Sequence, residues 1–373
     1  MGRGLLVTEW IERSGGAERV VEAMGRAFPD ANIHCLWTDA PERFEAGRVR
    51  ESWLARTPLR RHKALALPFM IPTWRAVRSP DDPDWMLVSS HAFAHHAKVA
   101  RAPLPKYVYV HTPARYIWDP DFDDRGRNLA ARLASPALRT LDRRRAQEAT
   151  AIAANSAFVQ QRIRRTWDRD AVVIHPPVAV TALREQEEWG TRVTDDEERR
   201  VLDALPPVFV LGASRFIPYK RLDLVLEAAA RLGIPAVVAG RGPEEARLRA
   251  LAETLSIPVQ IIISPSDALL YALMQRSAAF VFPAVEDFGI IPVEAQALGT
   301  PVVTGPIGGQ LETFTPGVSG IIAASTDPAD LASSLGAAID LPPFDADAVT
   351  RRFGEDRFAD QIRNFVGRDT IGA

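Results

Sequence analysis

Cysteine is nearly absent from the 373 residues of this chain. Cys35 stands alone, which excludes an internal disulfide framework and any cysteine-built zinc site. No apolar run approaches the roughly 18 to 20 residues that a membrane-spanning helix needs. The opening segment, Met1 to Trp10, lacks the apolar core of a signal peptide, so the expectation is a cytoplasmic protein. Heptad repeats and low-complexity tracts are missing too. So is the G-x-G-x-x-G fingerprint, and its absence counts against a dinucleotide-dependent dehydrogenase.

What remains is an ordinary globular composition, 47% hydrophobic and 25% charged, in a chain too long for one core. Charge is unevenly spread. Residues 1–185 carry 29 Lys and Arg against 21 Asp and Glu, and the remainder carries 16 against 26. The basic half reads either as a solvated face or as a surface for an anionic partner, such as a phosphorylated or lipid-linked acceptor. Peripheral contact with the inner membrane face is part of that expectation.

Short apolar runs alternate with polar helical stretches along the whole chain. In the first half they are Leu5–Thr8, Asn32–Trp37, Trp85–Ser89, Tyr107–Val110, Ala151–Ala154 and Val172–Ile174. In the second half they are Val208–Gly212, Ala236–Ala239, Val259–Ile263, Phe280–Phe282, Pro301–Val303 and Gly320–Ala323. Strands apolar on successive residues, spaced by more than a dozen residues, belong to parallel sheets covered by helices on both faces. The fold class is therefore α/β, with two Rossmann-like doubly wound domains at 1–182 and 183–348. An amphipathic tail, 349–373, follows them. Ligands of such sheets bind beyond the carboxyl ends of the strands, which directs attention to a cleft shared by the two domains.

Glu286-Asp-Phe-Gly-Ile-Ile-Pro-Val-Glu294 is the most informative segment. It leaves a predicted strand and enters a helix with Pro292 at its opening and Glu294 in its first turn. The carboxylates of Glu286 and Glu294 suit hydroxyl groups. The backbone amides of Phe288, Gly289, Ile290 and Ile291 lead into a helix N-terminus that favours an anion. A ligand with both features is a sugar nucleotide.

Gly212-Ala-Ser-Arg-Phe-Ile-Pro-Tyr-Lys-Arg221 repeats the strand-to-helix pattern and places two cations, Arg215 and Lys220, where a diphosphate would need neutralising. Ser14-Gly-Gly-Ala follows the first strand, and Gly15 and Gly16 permit close backbone approach before another helix start. Gly240-Arg-Gly-Pro243 is either a plain turn or a point where backbone meets a base or ribose. His111, ending Tyr107-Val-Tyr-Val-His-Thr-Pro113, stands at a strand carboxyl end, as a structural histidine, a hydrogen-bond partner for a sugar hydroxyl or a general base. Arg115, Trp118 and Asp119 lie close by in sequence. His91, His95 and His96 form a cluster with no carboxylate at metal-ligand spacing. The Asp-x-Asp triplets at Asp82–Asp84, Asp119–Asp121, Asp121–Asp123 and Asp168–Asp170 read as chance or turn features. No metal is expected.

Together, Gly15-Gly16, Ser214-Arg215-x₄-Lys220-Arg221, Gly240-x-Gly242-Pro, Glu286-Asp-Phe-Gly-x₄-Glu294 and Gly308-Gly-Gln-Leu-Glu312 resemble the retaining GT4-type glycosyltransferases of GT-B architecture. The Tyr-Lys-Arg and Tyr-Val-His-Thr-Pro segments are similar to GDP-mannose-dependent mannosyltransferases of that family. The resemblance implies that Arg215 and Lys220 hold the diphosphate and that Glu294 binds the nucleotide ribose. It implies that Glu286 and the Phe288–Ile291 backbone face the donor sugar, with His111 near the reacting carbon. It further implies hexose transfer from a nucleoside-diphosphate sugar, GDP favoured over UDP, to a hydroxyl acceptor with retained configuration. No metal or other cofactor is implied, and the tail is expected to be a helix returning to the first domain. The Asp at 287 departs from the commoner Glu-Gly-Phe-Gly form. Rival readings are a nucleotide-sugar epimerase and a catalytically silent sugar-nucleotide binder. Nucleic-acid binding through Arg139–Arg145 and Arg162–Arg169 is disfavoured because these runs lack interleaved stacking aromatics.

Overall fold

The computed structural model describes residues 2–13, 15–79, 81–100, 104–118 and 129–367. The chain forms two compact units, one of residues 1–177 and 355–373, the other of residues 178–354.

Unit one holds a parallel sheet of β1 (Gly4–Thr8), β2 (Asn32–Cys35), β3 (Val49–Glu51), β4 (Trp85–Ser90), β5 (Lys106–Val110), β6 (Ala151–Ala154) and β7 (Val172–Val173). Its strand order is β3-β2-β1-β4-β5-β6-β7. Side chains alternate between two apolar layers, Leu5 and Val7 entering one and Leu6 the other, as strands buried on both faces require.

Unit two repeats the plan with β8 (Val210–Ala213), β9 (Ala236–Gly240), β10 (Val259–Ile263), β11 (Ala279–Phe282), β12 (Val302–Thr304) and β13 (Gly320–Ile322). The order is β10-β9-β8-β11-β12-β13, all parallel. Both sheets reverse direction beside their first strand, between β1 and β4 and between β8 and β11. Such a switch point leaves a crevice beyond the strand ends.

β3 is the strand absent from the sequence expectation. It is short, charged and largely exposed at the sheet edge, so it lacks the apolar signature of the others. The units also divide differently from the expected boundaries. Val178, Val180 and Leu183 share an apolar cluster with Phe288, Val293, Val349 and Phe353 of unit two, and Val178 N donates to Phe353 O at 3.0 Å. The amphipathic tail is two helices broken at Gly354. The first, Asp347–Phe353, stays with unit two, and the second, Glu355–Gly367, packs in unit one. There Phe358, Ile362, Phe365 and Val366 enter the layer that holds Tyr107 and Tyr109.

Candidate active site

In unit two, two loops leave adjacent strands at the switch point and meet. Beyond β8 the chain runs through Arg215 and a 3₁₀ turn, Pro218–Lys220, to the helix Leu222–Leu232. Beyond β11 it runs through Glu286 to the helix Ile290–Ala297. Lys220 Nζ forms an ion pair with Glu286 Oε1, both side chains mostly shielded from solvent. The ammonium also lies 5.2 Å from the Tyr219 ring centre and 5.6 Å from that of Phe282. Arg215 is exposed, its Nη2 donating to Tyr219 Oη at 3.1 Å. A carboxylate and two cations are thus assembled around one strand junction. Arg221, by contrast, turns away to Asp223, which it holds with Arg247. Burial works against that carboxylate's charge, but the two guanidiniums draw its pKa below the usual range.

The Arg215 loop is fixed from below by glycines. Phe216 N donates to Arg241 O at 2.8 Å, and Glu244 N donates to Phe216 O at 3.0 Å. A Cβ on Gly240 would stand 1.8 Å from Ser214 O, and one on Gly242 would stand 2.4 Å from Phe216 O. Close approach at Gly240 is therefore to the neighbouring loop.

The Glu286 loop is braced by Gln310, a residue quoted in the family motif without a role of its own. Fully buried Gln310 accepts from Glu286 N through Oε1 at 3.0 Å and donates through Nε2 to Ile307 O at 2.6 Å. Gly309 N donates to Glu286 O at 2.7 Å. Gly289, at φ 95°, caps the helix in the left-handed region, and a Cβ there would crowd Gln310 at 3.0 Å. Ile290 and Ile291 open the helix, and Pro292 is its third residue, within the first turn as expected but two positions past the opening one. Glu294 is accordingly the fifth residue, past the first turn, and it is buried. The Phe288 ring joins the core against Phe353, leaving the backbone as this residue's face toward a ligand.

In unit one, β1, β4 and β5 end in a second polar cluster. His111 follows β5, its N donating to Ser90 O at 2.8 Å and its Nε2 sharing a 2.8 Å hydrogen bond with Ser89 Oγ. Burial of the ring, with His91 nearby, lowers its pKa to about 3. Glu9, missed in the sequence, sits fully buried beyond β1. Its Oε1 accepts from Ser90 Oγ and from the backbone N–H groups of His91, Ala92 and Ala94 at 2.8–3.2 Å, and Oε2 lies 3.1 Å from His91 Nδ1. The charge holds the turn after β4 in place. A carboxylate inside an apolar run was the available signal, because charged groups are rarely buried without partners.

Gly15 precedes the helix Gly16–Ala27, and both glycines are exposed. The anion at this helix start is the chain's own Glu18. Its Oε1 accepts from Glu12 N at 3.2 Å, and a Cβ on Gly15 would stand 2.1 Å from its Oε2. Burial raises the Glu18 pKa. A phosphate would have to displace or protonate Glu18, so the anion-binding expectation for Gly15 and Gly16 is weakened.

The histidine cluster gains the carboxylate that its local sequence lacks. Asp142 Oδ1 lies 3.1 Å from Nε2 of both His95 and His96, while Oδ2 accepts from Trp118 Nε1 at 2.8 Å and Trp167 Nε1 at 2.6 Å. Two histidines and an aspartate is a possible metal-ligand set, but two indole donors already engage this carboxylate. The bonding is that of an anchor joining four chain segments. Among the aspartate triplets, Asp84 accepts from Arg3 N and Asp168 ends a helix in the left-handed conformation, which are structural uses. Asp119, Asp121 and Asp123 lie outside the described residues.

Residues 14–181 match the family model described as Glycosyltransferase Family 4, and residues 194–352 match Glycosyl transferases group 1. The chain belongs to the GT4-type glycosyltransferase family, with the GT-B fold. A D-inositol 3-phosphate glycosyltransferase of Geodermatophilus obscurus is 35% identical over 158 residues, 38% of this chain and 35% of that protein. One from Catenulispora acidiphila is 34% identical over 170 residues, 40% of each chain. The matched stretch thus spans well under half the length of these relatives. Among solved structures, Anabaena HepE in complex with UDP-glucose has a TM-score of 0.71 at 18% identity, covering 99% of this chain and 100% of that one. Sucrose-phosphate synthase from Thermosynechococcus elongatus has a TM-score of 0.72 at 15% identity, with full coverage of both chains. These two likenesses concern the fold.

Proposed function

We propose that this protein transfers a hexose from a nucleoside-diphosphate sugar to a hydroxyl acceptor, retaining the anomeric configuration and needing no metal. The observation that carries the reading is the meeting of Lys220, Arg215 and Glu286 at the switch point of unit two. In this scheme Lys220 leaves Glu286 for the diphosphate, and Arg215 grips the same group. Two fixed cations then meet the charge that develops as the bond from the anomeric carbon to the diphosphate oxygen breaks. The acceptor oxygen bonds to that carbon from the same face, and its proton passes to the departing phosphate. Glu286, freed of its ammonium, accepts hydroxyl hydrogens of the hexose, and Glu294 serves the ribose. His111 stays neutral at physiological pH because of its low pKa, which suits it to hydrogen-bonding a sugar hydroxyl and makes it a poor general base.

GDP-mannose is the favoured donor on the motif similarity. The UDP-glucose complex of HepE makes UDP-sugars the first comparison, and the inositol 3-phosphate relatives make a phosphorylated polyol a natural first acceptor. A thermal-shift panel of GDP-, UDP-, ADP- and dTDP-sugars tests the donor, since a ligand that binds only the native state raises its melting temperature. A rise with GDP-mannose above the others supports the reading, and no rise with any of them overturns it. Isomerised sugar nucleotide formed without an acceptor would assign an epimerase instead.

A further inference from the structure

From Ser52 to Ser79 the chain contains no Asp or Glu and six Lys or Arg residues. The segment also holds three of the chain's exposed large apolar side chains, Trp53 at 53%, Leu65 at 63% and Phe69 at 44% of full exposure. They form one patch. Leu65 and Phe69 are four residues apart on the helix Lys63–Trp74 and so share a face, and the rings of Trp53 and Phe69 meet edge-on at 6.3 Å. Arg56 stands three residues after Trp53 on the same 3₁₀ turn, where such positions eclipse, and Arg61 ends the 3₁₀ turn Pro58–Arg61 just ahead of the helix. Both arginines are exposed, and among the described residues no carboxylate pairs with either. Arg60 and Lys63 are bound to Asp39 and Glu12.

We propose that this patch docks unit one on the surface of an anionic phospholipid bilayer. Apolar rings flanked by unpaired arginines, with no acidic group in the segment, match an interface that is negative outside and apolar beneath. The Trp53 indole suits immersion because its N–H is already satisfied by Thr73 Oγ1 at 2.9 Å. Lys63, which opens the same helix, lies over the Trp10 ring just beyond β1. A lipid-borne acceptor would therefore arrive beside the strand ends of unit one. Only that last point rests on the transferase reading.

The test is co-flotation of the full chain with phosphatidylcholine vesicles, with and without phosphatidylglycerol. The expected result is at least about tenfold more bound protein on the anionic vesicles, lost at high salt. Trp53→Ser/Leu65→Ser/Phe69→Ser should abolish binding, and Arg56→Glu/Arg61→Glu should remove the preference for anionic lipid. Both variants replace exposed side chains and should keep the wild-type melting temperature and its rise with nucleotide sugar. Donor binding is thereby scored apart from membrane docking. No binding to either vesicle, or equal binding by wild type and triple variant, overturns the proposal. A wild-type dimer that the triple variant makes monomeric, seen by sedimentation velocity, also overturns it and assigns the face to a second copy.

Discussion

Lys220 and Glu286, 66 residues apart in sequence, neutralise each other across the β8–β11 junction. Each keeps the other's charge compensated, and in the proposed reaction a ligand carrying phosphate and hydroxyl groups replaces both partners. Lys220→Ala should lower turnover by about 100-fold or more, the scale of losing one preorganised charge stabiliser. Steady-state kinetics with the best donor of the thermal-shift panel checks this, and near-normal turnover would remove Lys220 from the diphosphate site.

Gly242→Ala should cost about 2 kcal/mol or more and diminish the melting-temperature rise with nucleotide, because a Cβ 2.4 Å from Phe216 O pushes on the loop that carries Arg215. Gly233→Ala is the control. It is also left-handed, at φ 73°, but its added methyl meets nothing within 4 Å, so the cost should be about 1 kcal/mol with nucleotide response intact. Urea unfolding with and without nucleotide separates the two variants.

Asp142→Ala should destabilise unit one by about 3–5 kcal/mol, since it leaves the buried indole N–H of Trp167 and the partly buried one of Trp118 without an acceptor. The measurement is the urea midpoint followed by tryptophan fluorescence. A loss below about 1 kcal/mol would contradict the anchor role.

Acid should weaken the fold over a window set by buried histidines. Burial lowers His34 and His96 to about 4 and His111 to about 3. An unfolded histidine titrates near 6.5, so between those values the unfolded chain binds more protons than the native one. Their stabilisation is complete above pH ~6.5 and is lost progressively as pH falls towards 4. Glu18, raised by burial, acts in the opposite sense, while Glu148, held at about 2 by Arg75 and Arg145 despite some burial, adds a loss in the same sense as the histidines as pH falls below its unfolded value of about 4.5. The melting temperature should be about 5 °C or more lower at pH 5 than at pH 7.5. An unchanged value would show these rings to be solvated.

Much of this architecture was legible because parallel strands buried on both faces are written as contiguous apolar runs. Leu5–Thr8 and Ala236–Ala239 need no partner to be recognised. β3 escaped because an exposed edge strand has no apolar pattern. Arg215, Lys220 and Glu286 were legible from position, as charged residues just beyond predicted strands. Glu9, Asp142 and Gln310 were not, since each acts on groups brought to it by the fold, in the case of Glu9 from more than 80 residues away. The Gly354 break was hidden because the apolar spacing continues across it from Phe353 to Phe358 while the chain changes units.

That crossing sets an order for biosynthesis. Phe358, Ile362, Phe365 and Val366 close the hydrophobic layer under Tyr107 and Tyr109, so unit one stays unfinished until the ribosome has passed residue 366. Unit two, complete at residue 354, can reach its native state earlier, reversing the usual amino-to-carboxyl sequence of domain maturation.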